Sequence, residues 1–447
     1  MRGKKRLPGA TSLEKALHAG IRRHSAGELR EAEVVYDKVL SVMPQNVDAL
    51  HFLGVLRHQQ GRTEEGVMLV QRALALAPAY VDAWNNLGNL YKESAHLDEA
   101  EAAYRRALAL DERHVAAWNN LGVVLRARGQ TAEAVEALRR AVGIRDTFAD
   151  AHFNLANALR ECQRLAEAIA AYRKVLSLNP GHTRAHYRLG YALYMKGACD
   201  EAADIFRQWQ VVEPENPIPA HMFAACSGEN VPERASNDYV RTTFDGFAGS
   251  FDEVLLHRLE YKAPQQLLNV LSPALGPPGS RYDILDAGCG TGLCGLLLLP
   301  YARSLTGVDL SPGMLSKARE CGVYDHLHED EITRFLAAHV ETFDVIASAD
   351  TLCYFGDLQL LLQTARHALR GGGWIGFTVE RGDDVEPYRL QPHGRYCHAR
   401  AYVEGVLAHA GFEAIDVVPA VLRRELGSDV EGWVIRARVP NNARGCA

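Results

Sequence analysis

A period of 34 residues runs through the first half of the chain and limits what that half can fold into. The segment AWNNLGNLYKESAHLDEAEAAYRRALAL at 83–110 returns as AWNNLGVVLRARGQTAEAVEALRRAVGI at 117–144. Residues 34 positions apart form three ladders. A small residue recurs at Gly20, Gly54, Gly88, Gly122, Ala156 and Gly190, and a large residue recurs at Tyr36, Val70, Tyr104, Leu138, Tyr172 and Phe206. Proline is frequent in the third ladder, which is Pro44, Pro78, Glu112, Asp146, Pro180 and Pro214. Small residues let two helices cross closely, large residues fill the space beside them, and proline ends a helix. The period therefore predicts six consecutive helix pairs over residues 13–216.

This pattern resembles the tetratricopeptide repeat in its period and in its alternation of small and large residues. The resemblance implies a right-handed all-α solenoid whose first helices line a concave groove. Asparagine recurs on these helices at Asn86, Asn120 and Asn154. A side-chain amide both donates and accepts hydrogen bonds, so we expect the groove to bind the backbone of a protein or peptide partner. The alternative is that these asparagines are polar residues of a solvated face.

Length, charge and cysteine usage exclude several classes of function. A chain of 447 residues exceeds one ordinary core, and its net charge of -6 gives no general argument for nucleic acid or acidic membranes. The sequence has no apolar run long enough to span a membrane and no signal-peptide core. Its nine cysteines include no C-x-x-C pair, so neither a metal site nor a disulfide framework is predicted. We expect a cytoplasmic protein with reduced thiols.

Beyond residue 281 the pattern changes to short β-like runs that alternate with helical ones. We predict strands near 282–286, 304–309, 323–327, 343–349, 373–379, 414–421 and 430–438. Alternation through the fifth strand implies parallel strands joined by crossover helices. Only RRELGSDVE separates the last two strands, which is too short for a helical crossover, so they should pair antiparallel. This order is similar to that of the seven-stranded, Rossmann-like S-adenosylmethionine-dependent methyltransferases.

The stretch LDAGCGTGLCG at 285–295 contains two overlapping glycine motifs. One is the G-x-G-x-x-G of dinucleotide-binding loops, and the other is D-x-G-x-G-x-G, which starts at Asp286. An acidic residue beside the first glycine would repel a pyrophosphate but suits the cationic groups of S-adenosylmethionine. Asp309 ends the next predicted strand and could accept both ribose hydroxyls of either cofactor. Asp286 therefore favours the methyl donor.

Residues 281–358 are similar to class I methyltransferases, including ILDAGCGTG, LTGVDLSPGMLSKAR and FDVIASADTLCYFGDL. The resemblance implies S-adenosylmethionine as cofactor and one set of residues around it. Asp286, Gly288, Gly290 and Gly292 would surround the methionine end, Asp309 would bind the ribose, Met314 would pack near the adenine, Asp330 or Glu331 would meet the adenine amino group, and Asp350 would face the pocket. The whole chain resembles bacterial methyltransferases with N-terminal tetratricopeptide repeats.

The polar cluster YRLQPHGRYCHARAYVE at 388–404 is predicted to be a loop beside the methyl acceptor. His393 or His398 is the candidate base, because imidazole can remove a proton near neutral pH. Arg395 and Tyr396 are the candidate substrate anchors. The alternative is a hydrogen-bonded surface and an acceptor that needs no base. The fourth strand lacks the N/D-P-P-Y motif of adenine and glutamine methyltransferases.

The predicted fold is a tetratricopeptide solenoid at 13–216 followed by an α/β methyltransferase domain at 239–440, with a flexible N-terminus at 1–12 and a tail at 441–447. Between the domains, 217–238 should form a capping helix, at 219–226, and a polar linker. A helix is predicted over 242–268, with Phe244, Phe247 and Phe251 on one face, either as packing or as a cover over the active site. We expect methyl transfer to a small-molecule, carrier-bound or protein-bound acceptor, with the solenoid as an interaction module. The alternative is a scaffold that binds S-adenosylmethionine without turnover.

Overall fold

The computed structural model describes residues 10–246, 248–249, 260–425 and 427–441. The chain divides into two compact units, Met1–Ala192 and Leu193–Ala447. The first unit holds most of the predicted solenoid. The second takes in the last solenoid helix, the capping helix and linker, and the α/β domain, so the division falls earlier than the predicted domain boundary.

Paired helices follow one another through the first half of the chain, as the 34-residue period predicts. Their bounds are α1 Ala10–Ser25, α2 Leu29–Val42, α3 Val47–Gln59, α4 Thr63–Leu76, α5 Val81–Glu93, α6 Leu97–Leu110, α7 Val115–Ala127, α8 Thr131–Ile144, α9 Ala149–Glu161, α10 Leu165–Leu178, α11 Thr183–Met195 and α12 Cys199–Val212. Helix α1 begins three residues before the predicted repeat, so residues 10–12 are helical rather than part of a flexible end. Residues 1–9 and 442–447 lie outside the described residues.

The small and large ladders meet inside each helix pair. A Cβ built on Gly88 would lie 2.5 Å from the ring of Tyr104, and one built on Gly122 would lie 2.4 Å from Leu138. Both large side chains have no exposed area. The two helices of a pair therefore approach closely only where the first contributes no side chain, which confirms the predicted crossing.

Two helices connect the repeats to the sheet. Helix α13 spans Pro217–Ser227, where Asn216 caps its first turn and Gly228 ends it with φ of 72°, so a helix lies where one was predicted at 219–226. Its role as a cap of the solenoid remains a prediction. Helix α14 spans Asn237–Asp245, and the Ser236 hydroxyl accepts the Tyr239 amide at its start. Serine and asparagine are favoured at such positions because they satisfy amides that have no intrahelical acceptor.

The single helix predicted over 242–268 is wrong. Helix α14 ends at Asp245, residues 260–262 are not helical, and the next helix, α15, spans Ala263–Leu275. Pro264 lies in the first turn of α15, where proline is tolerated because the amide it lacks would be unbonded there. Phe247 and Phe251, which were predicted to share a face with Phe244, lie outside the described residues.

The second unit is built around a sheet of parallel strands with antiparallel additions. Its strands are β1 Tyr282–Ala287, β2 Ala302–Asp309, β3 His326–Glu329, β4 Phe343–Ser348, β5 Leu369–Arg381, β6 Tyr388–Leu390, β7 Tyr396–His398, β8 Glu413–Glu425 and β9 Ser428–Arg438. The order is β3-β2-β1-β4-β5, all parallel, and β9 pairs antiparallel with both β5 and β8. Five parallel strands and a closing hairpin were predicted, and both are confirmed.

The loop predicted at 388–404 is wrong, because this segment forms a second hairpin. Strands β6 and β7 pair antiparallel, and β7 also extends the sheet at Glu380 and Arg381 of β5. The remaining helices are α16 Leu293–Leu298, α17 Pro312–Cys321, α18 Ile332–Ala337, α19 Gln359–Ala368 and α20 Arg400–His409. None of the described helices is both long enough and apolar enough to cross a membrane.

Both faces of the sheet are covered, so the parallel strands read as continuous apolar runs. One face packs Leu285, Ile346 and Phe377 into a core with α18, α19 and α20. The opposite face packs Ile284 and Val345 against α15 and α16. The carboxyl ends of the parallel strands meet at one edge of the sheet, where open α/β sheets bind their ligands.

Candidate active site

The turn after β1 is held tightly against the neighbouring strands. The amides of Gly288 and Cys289 donate to the Val308 carbonyl at 2.8 and 3.0 Å, and the Thr351 hydroxyl donates to the Gly288 carbonyl at 3.2 Å. A Cβ on Gly288 would lie 2.3 Å from the Thr351 side chain, and φ is 78° there. This position therefore requires glycine for packing and for backbone conformation.

Gly290 differs from Gly288 because its Cα faces open space. Its φ is 54°, and no heavy atom of the described residues other than Gly290 and its two chain neighbours lies within 4 Å of a Cβ built there. Its amide donates to Asp309 Oδ2 at 2.9 Å. The turn thus presents bare backbone at the carboxyl edge of the sheet, which is the surface that a closely approaching ligand needs.

Asp286 lies beneath this turn rather than at its surface. Its side chain has no exposed area, and the Tyr324 hydroxyl donates to Oδ2 at 2.7 Å. Its Oδ1 has no hydrogen-bond partner among the residues that the structure describes. Burial raises the pKa of Asp286 to about 7. The contact of Asp286 with the methionine end of a cofactor remains a prediction. In this geometry its side chain lies beneath the turn and supports it.

We expect Asp286→Asn to remove a pH dependence from the stability of the cofactor-free protein. A carboxyl whose folded pKa is raised from 3.8 to about 7 destabilises the folded state progressively between those pH values, by about 4 kcal/mol at most. Asparagine cannot ionise and still accepts from Tyr324. The free energy of unfolding, measured with urea, should fall markedly from pH 5 to pH 8 for the wild type and should change little for the variant. The exposed Asp384→Asn is the control, and parallel behaviour of all three proteins would contradict the assignment.

Asp309 holds the turn from the end of β2. Its Oδ2 accepts the Gly290 amide and its Oδ1 accepts the Ser311 amide, both at 2.9 Å. Burial raises its pKa, and these two amides oppose the rise. Met314 follows at the start of α17 with a side chain that is 1 % exposed, so it packs in the interior. Its predicted place beside an adenine remains a prediction.

The two acidic residues after β3 have different surroundings. Glu331 caps α18 by accepting the amides of Thr333 and Arg334 at 3.0 and 2.9 Å, and it pairs with Arg234 at 2.8 Å. Asp330 accepts the Glu331 amide at 2.6 Å and pairs with Arg334, and its side chain is the more exposed of the two. Glu331 is therefore committed to the fold, and Asp330 is the better candidate for a ligand contact.

A buried network of charges joins the last residues of β5 and β8 to the segment after β4. Arg423 on β8 bonds Asp350 at 2.6 Å, with φ of 55° at Asp350, and also bonds Glu380. Arg395 donates to Glu380 Oε1 at 2.7 Å and pairs with Glu425. Burial alone would raise the pKa of Glu380, but the surrounding cations hold it well below its usual value. The sequence pointed to Asp350 and Arg395 but missed the other three residues.

The four residues of the predicted substrate loop divide into an inner and an outer pair. Tyr396 and His398 on β7 have no exposed area. The Tyr396 hydroxyl donates to the Pro232 carbonyl at 2.6 Å, and burial lowers the pKa of His398 to about 4. His393 and Arg395 lie at the turn between β6 and β7, where His393 Nε2 is 3.3 Å from a Glu380 oxygen. Only the outer pair borders the charged network with partly exposed side chains.

The linker crosses the carboxyl edge of the sheet, and we call its residues 232–246 the strap. Arg234 pairs with Glu331, and the Ala235 amide donates to the Tyr354 carbonyl at 2.8 Å. At the other end of the strap, Asp245 accepts from the Ser311 hydroxyl and from the Gly313 amide at 3.2 Å. The strap therefore contacts residues at or within two positions of three predicted cofactor residues, which are Asp309, Met314 and Glu331.

The three groove asparagines bond to side chains of the neighbouring repeat. Asn154 Nδ2 donates to Asn119 at 2.9 Å, and Asn120 Nδ2 donates to two asparagines of the preceding first helix at 3.1 and 3.0 Å. Asn86 Nδ2 lies 2.8 Å from His51 Nε2. These bonds join successive first helices, so the amides have a structural role whether or not they also bind a partner. Their contact with a partner remains a prediction.

Three family models match the chain, one for a methyltransferase domain and two for tetratricopeptide repeats. The methyltransferase domain family matches residues 285–377, from the glycine turn into β5. Tetratricopeptide repeat families match 45–113, 85–151, 144–182 and 153–217. Among the described residues, no cluster of three or more histidine, cysteine, aspartate or glutamate side chains could hold a metal ion.

Several curated proteins that are similar to this chain are named as methyltransferases or as methyltransferase-like. Methyltransferase-like protein 27 of Homo sapiens is 43% identical over 86 residues, which are 19% of this chain and 34% of that protein. The ubiquinone biosynthesis O-methyltransferase of Xylella fastidiosa (strain 9a5c) is 28% identical over 235 residues, 46% of this chain and 89% of that protein. The malonyl-[acyl-carrier protein] O-methyltransferase of Acetivibrio thermocellus is 34% identical over 109 residues, which are 22% of this chain and 36% of that protein. The chain spans about a third of the first and third relatives and most of the second.

Proposed function

We propose that this chain, which joins tetratricopeptide repeats to a methyltransferase domain, transfers a methyl group from S-adenosylmethionine to a small-molecule, carrier-bound or protein-bound acceptor. The observation that carries the proposal is Gly290, whose bare Cα faces open space at the carboxyl edge while Asp309 holds its amide. In this proposal the solenoid brings the protein partner or the carrier of the substrate to the enzyme.

The residues around the glycine turn fit this cofactor. S-adenosylmethionine supplies a methyl group activated by a positively charged sulfur. Gly290 would let the methionine part approach the backbone, and Asp309 keeps lone pairs for the ribose hydroxyls in addition to its two amide bonds. Asp330 would meet the adenine. Asp286 would support the turn from below, and its half-ionised carboxyl suits a cationic ligand better than a pyrophosphate.

An oxygen acceptor is favoured, because two of the matched relatives are named as O-methyltransferases. A hydroxyl must lose its proton during transfer, and His393 is the candidate base. His398, the other predicted candidate, is fully buried with a lowered pKa and has no exposed atom to offer a substrate. Glu380, with an oxygen 3.3 Å from His393 Nε2, would orient the ring. Arg395 then positions Glu380 rather than the substrate.

Calorimetry with S-adenosylmethionine, S-adenosylhomocysteine and NADH tests the cofactor. We expect both sulfur compounds to bind and NADH to give no heat. Asp309→Asn should weaken binding at least about tenfold, because it removes the charge that accepts two ribose hydroxyls.

The matched control is Asp325→Asn, since Asp325 also accepts a backbone amide, from Leu305 at 2.8 Å, but in the middle of β2 and away from the glycine turn. The control should bind like the wild type. Binding of NADH alone would contradict the proposal. Transfer of labelled methyl groups into separated metabolite and protein fractions of a lysate would then identify the acceptor class and distinguish an enzyme from a scaffold.

A further inference from the structure

Helix α13, which follows the repeats, packs directly on the hairpin formed by β6 and β7. A buried cluster joins Ala224 and Ala225 of the helix to Leu390 and Tyr396 of the hairpin. The two strands have three residues each, and β7 pairs with two residues of β5. A hairpin this short is marginally stable by itself. Helix α13 therefore gives the hairpin support that the sheet supplies only in part.

The contact is close at Gly394, in the turn between β6 and β7. Its φ is 90°, and a Cβ built there would lie 2.7 Å from the Tyr239 hydroxyl oxygen and 3.2 Å from the Met222 sulfur. His221 Nε2 lies 2.8 Å from the Gly394 carbonyl oxygen. Because a carbonyl can only accept, Nε2 is the donor. The turn is thus held by packing against α13 and α14 and by one hydrogen bond from α13.

The His221 ring is committed to this bond. It is 6% exposed and stacks on the Tyr239 ring with the centroids 3.8 Å apart. Burial lowers the pKa of His221, so the ring is neutral and has a single N–H, which donates to Gly394. Without that donor the carbonyl of a buried residue would be left unpaired, and the turn would have to move to satisfy it.

The same turn carries two side chains that meet Glu380. His393 precedes Gly394, with Nε2 3.3 Å from a Glu380 oxygen, and Arg395 follows, with Nε 2.7 Å from Glu380 Oε1. The backbone on either side of the fixed carbonyl sets where both side chains lie. A misplacement of about 1 Å at a reacting centre can lower a rate roughly a hundredfold. The orientation of this turn therefore matters for any role of His393.

We infer that His221 is a positioning residue for methyl transfer, which holds the Gly394 carbonyl and thereby places the His393 ring against Glu380. The acceptor side of the site is then completed by the segment that follows the repeats. The inference rests on the proposed role of His393 and concerns the acceptor side, not the glycine turn that would bind the cofactor.

Two variants separate the hydrogen bond of His221 from its packing. His221→Phe keeps a ring against Tyr239 but has no donor, whereas His221→Gln keeps a donor of similar reach. The measurement is the initial rate at which the full chain, saturated with labelled S-adenosylmethionine, transfers methyl groups into the lysate fraction that the wild type labels. His221→Phe should lower this rate at least about tenfold, and His221→Gln should restore most of it. Calorimetry should show unchanged affinity for S-adenosylmethionine in both variants.

A second measurement needs no acceptor. In protein labelled with ¹³C-histidine, the nuclear magnetic resonance signal of His393 Cε1 is identified by its loss in His393→Gln. This signal should shift in His221→Phe, because the ring changes its place beside Glu380. His152→Phe is the matched control: His152 is 7% exposed, and its Nε2 lies 2.9 Å from the Asp146 carbonyl oxygen on another helix. The control should leave the signal, the rate and the cofactor affinity unchanged.

Four results would overturn the inference. They are an unchanged His393 signal in His221→Phe, an unchanged transfer rate, an equal loss in both His221 variants, and a weakened affinity for S-adenosylmethionine, which would indicate a general disturbance of the second unit. If the wild type labels no lysate fraction, the proposed function fails, and the His393 signal then decides separately whether His221 holds the turn.

Discussion

Gly290→Ala is expected to weaken binding of S-adenosylmethionine at least about a hundredfold, or about 2.8 kcal/mol, while the protein stays folded. Apart from Gly290 and its two chain neighbours, no heavy atom of the described residues lies within 4 Å of an ideal Cβ at this position, so the methyl group collides with nothing in the described part of the protein. It would instead occupy the space in which the proposed ligand approaches the backbone. The φ of 54° adds a strain of roughly 1–2 kcal/mol for any residue other than glycine. Calorimetry gives the affinity, and thermal unfolding shows that the fold is retained.

Gly411→Ala is the matched control for this strain. Gly411 has φ of 85° and open space around its Cα, but it lies in the turn after α20 and not in the glycine turn. The control should lose similar stability and keep full affinity. Gly288→Ala should behave differently again, because its Cβ would overlap Thr351 and disturb the turn itself. Full affinity of Gly290→Ala would show that no ligand approaches there.

Arg423→Met is expected to destabilise the second unit by about 3–5 kcal/mol. The Arg423 side chain is 2 % exposed and bonds Asp350, Glu380 and Glu425. Methionine fills a similar volume but removes the arginine that bonds Asp350 and leaves Arg395 as the arginine at Glu380 and Glu425. Urea unfolding, followed by tryptophan fluorescence, measures the loss. The wild-type advantage should shrink as the pH falls below 4.5, because the lowered pKa of Glu380 stabilises the fold only while its carboxyl is ionised.

Arg424→Met separates the buried network from a general effect of removing charge. Arg424 is the next residue on β8, its side chain is 49% exposed, and it lies 3.4 Å from Glu260. Exposed pairs of this kind contribute less than about 1 kcal/mol. Equal destabilisation by both variants would contradict a special role for the buried pairings.

The repeats could be predicted from sequence because their determinants are local and periodic. The close crossing at Gly88 and Tyr104 depends on side-chain size at a fixed spacing, and the same combination of small and large residues recurs along the repeats. The parallel direction of the first five strands was equally accessible, since strands that alternate with helices are joined by crossover connections. The glycine turn was found for the same reason: positive φ and close packing at Gly288 both demand glycine.

The buried charge network could not be predicted because β8 departs from regular alternation. A register shift between Val421 and Arg423 turns consecutive residues inward, so that Leu422 and Arg423 are 0% and 2% exposed. In the sequence this arginine has the appearance of a surface residue beside another arginine. Its partners come from β5 and from the segment after β4, and nothing in their spacing connects them.

The helix predicted over 242–268 failed because an apolar face alone does not define a helix. The aromatic spacing suits a helical period, but Gly246 follows the end of one helix and Pro264 lies in the first turn of the next. The predicted helix ran through both of these signals. The groove asparagines show a different limit. Their recurrence was visible, but the hydrogen bonds between repeats depend on the distance between neighbouring helices, which the sequence does not give.

The strap makes the transferase half of the chain poorly suited to excision. A fragment that begins at residue 239, where the predicted α/β domain starts, would lack Arg234, which neutralises Glu331, and Ala235, which bonds Tyr354. It would also lose helix α13, whose His221 bonds the Gly394 carbonyl at 2.8 Å beside Arg395. Replacing this domain with another of its kind would therefore also require replacing the segment in front of it. The residues of the strap and of α13 that make these contacts lie outside residues 285–377, which the methyltransferase family model matches.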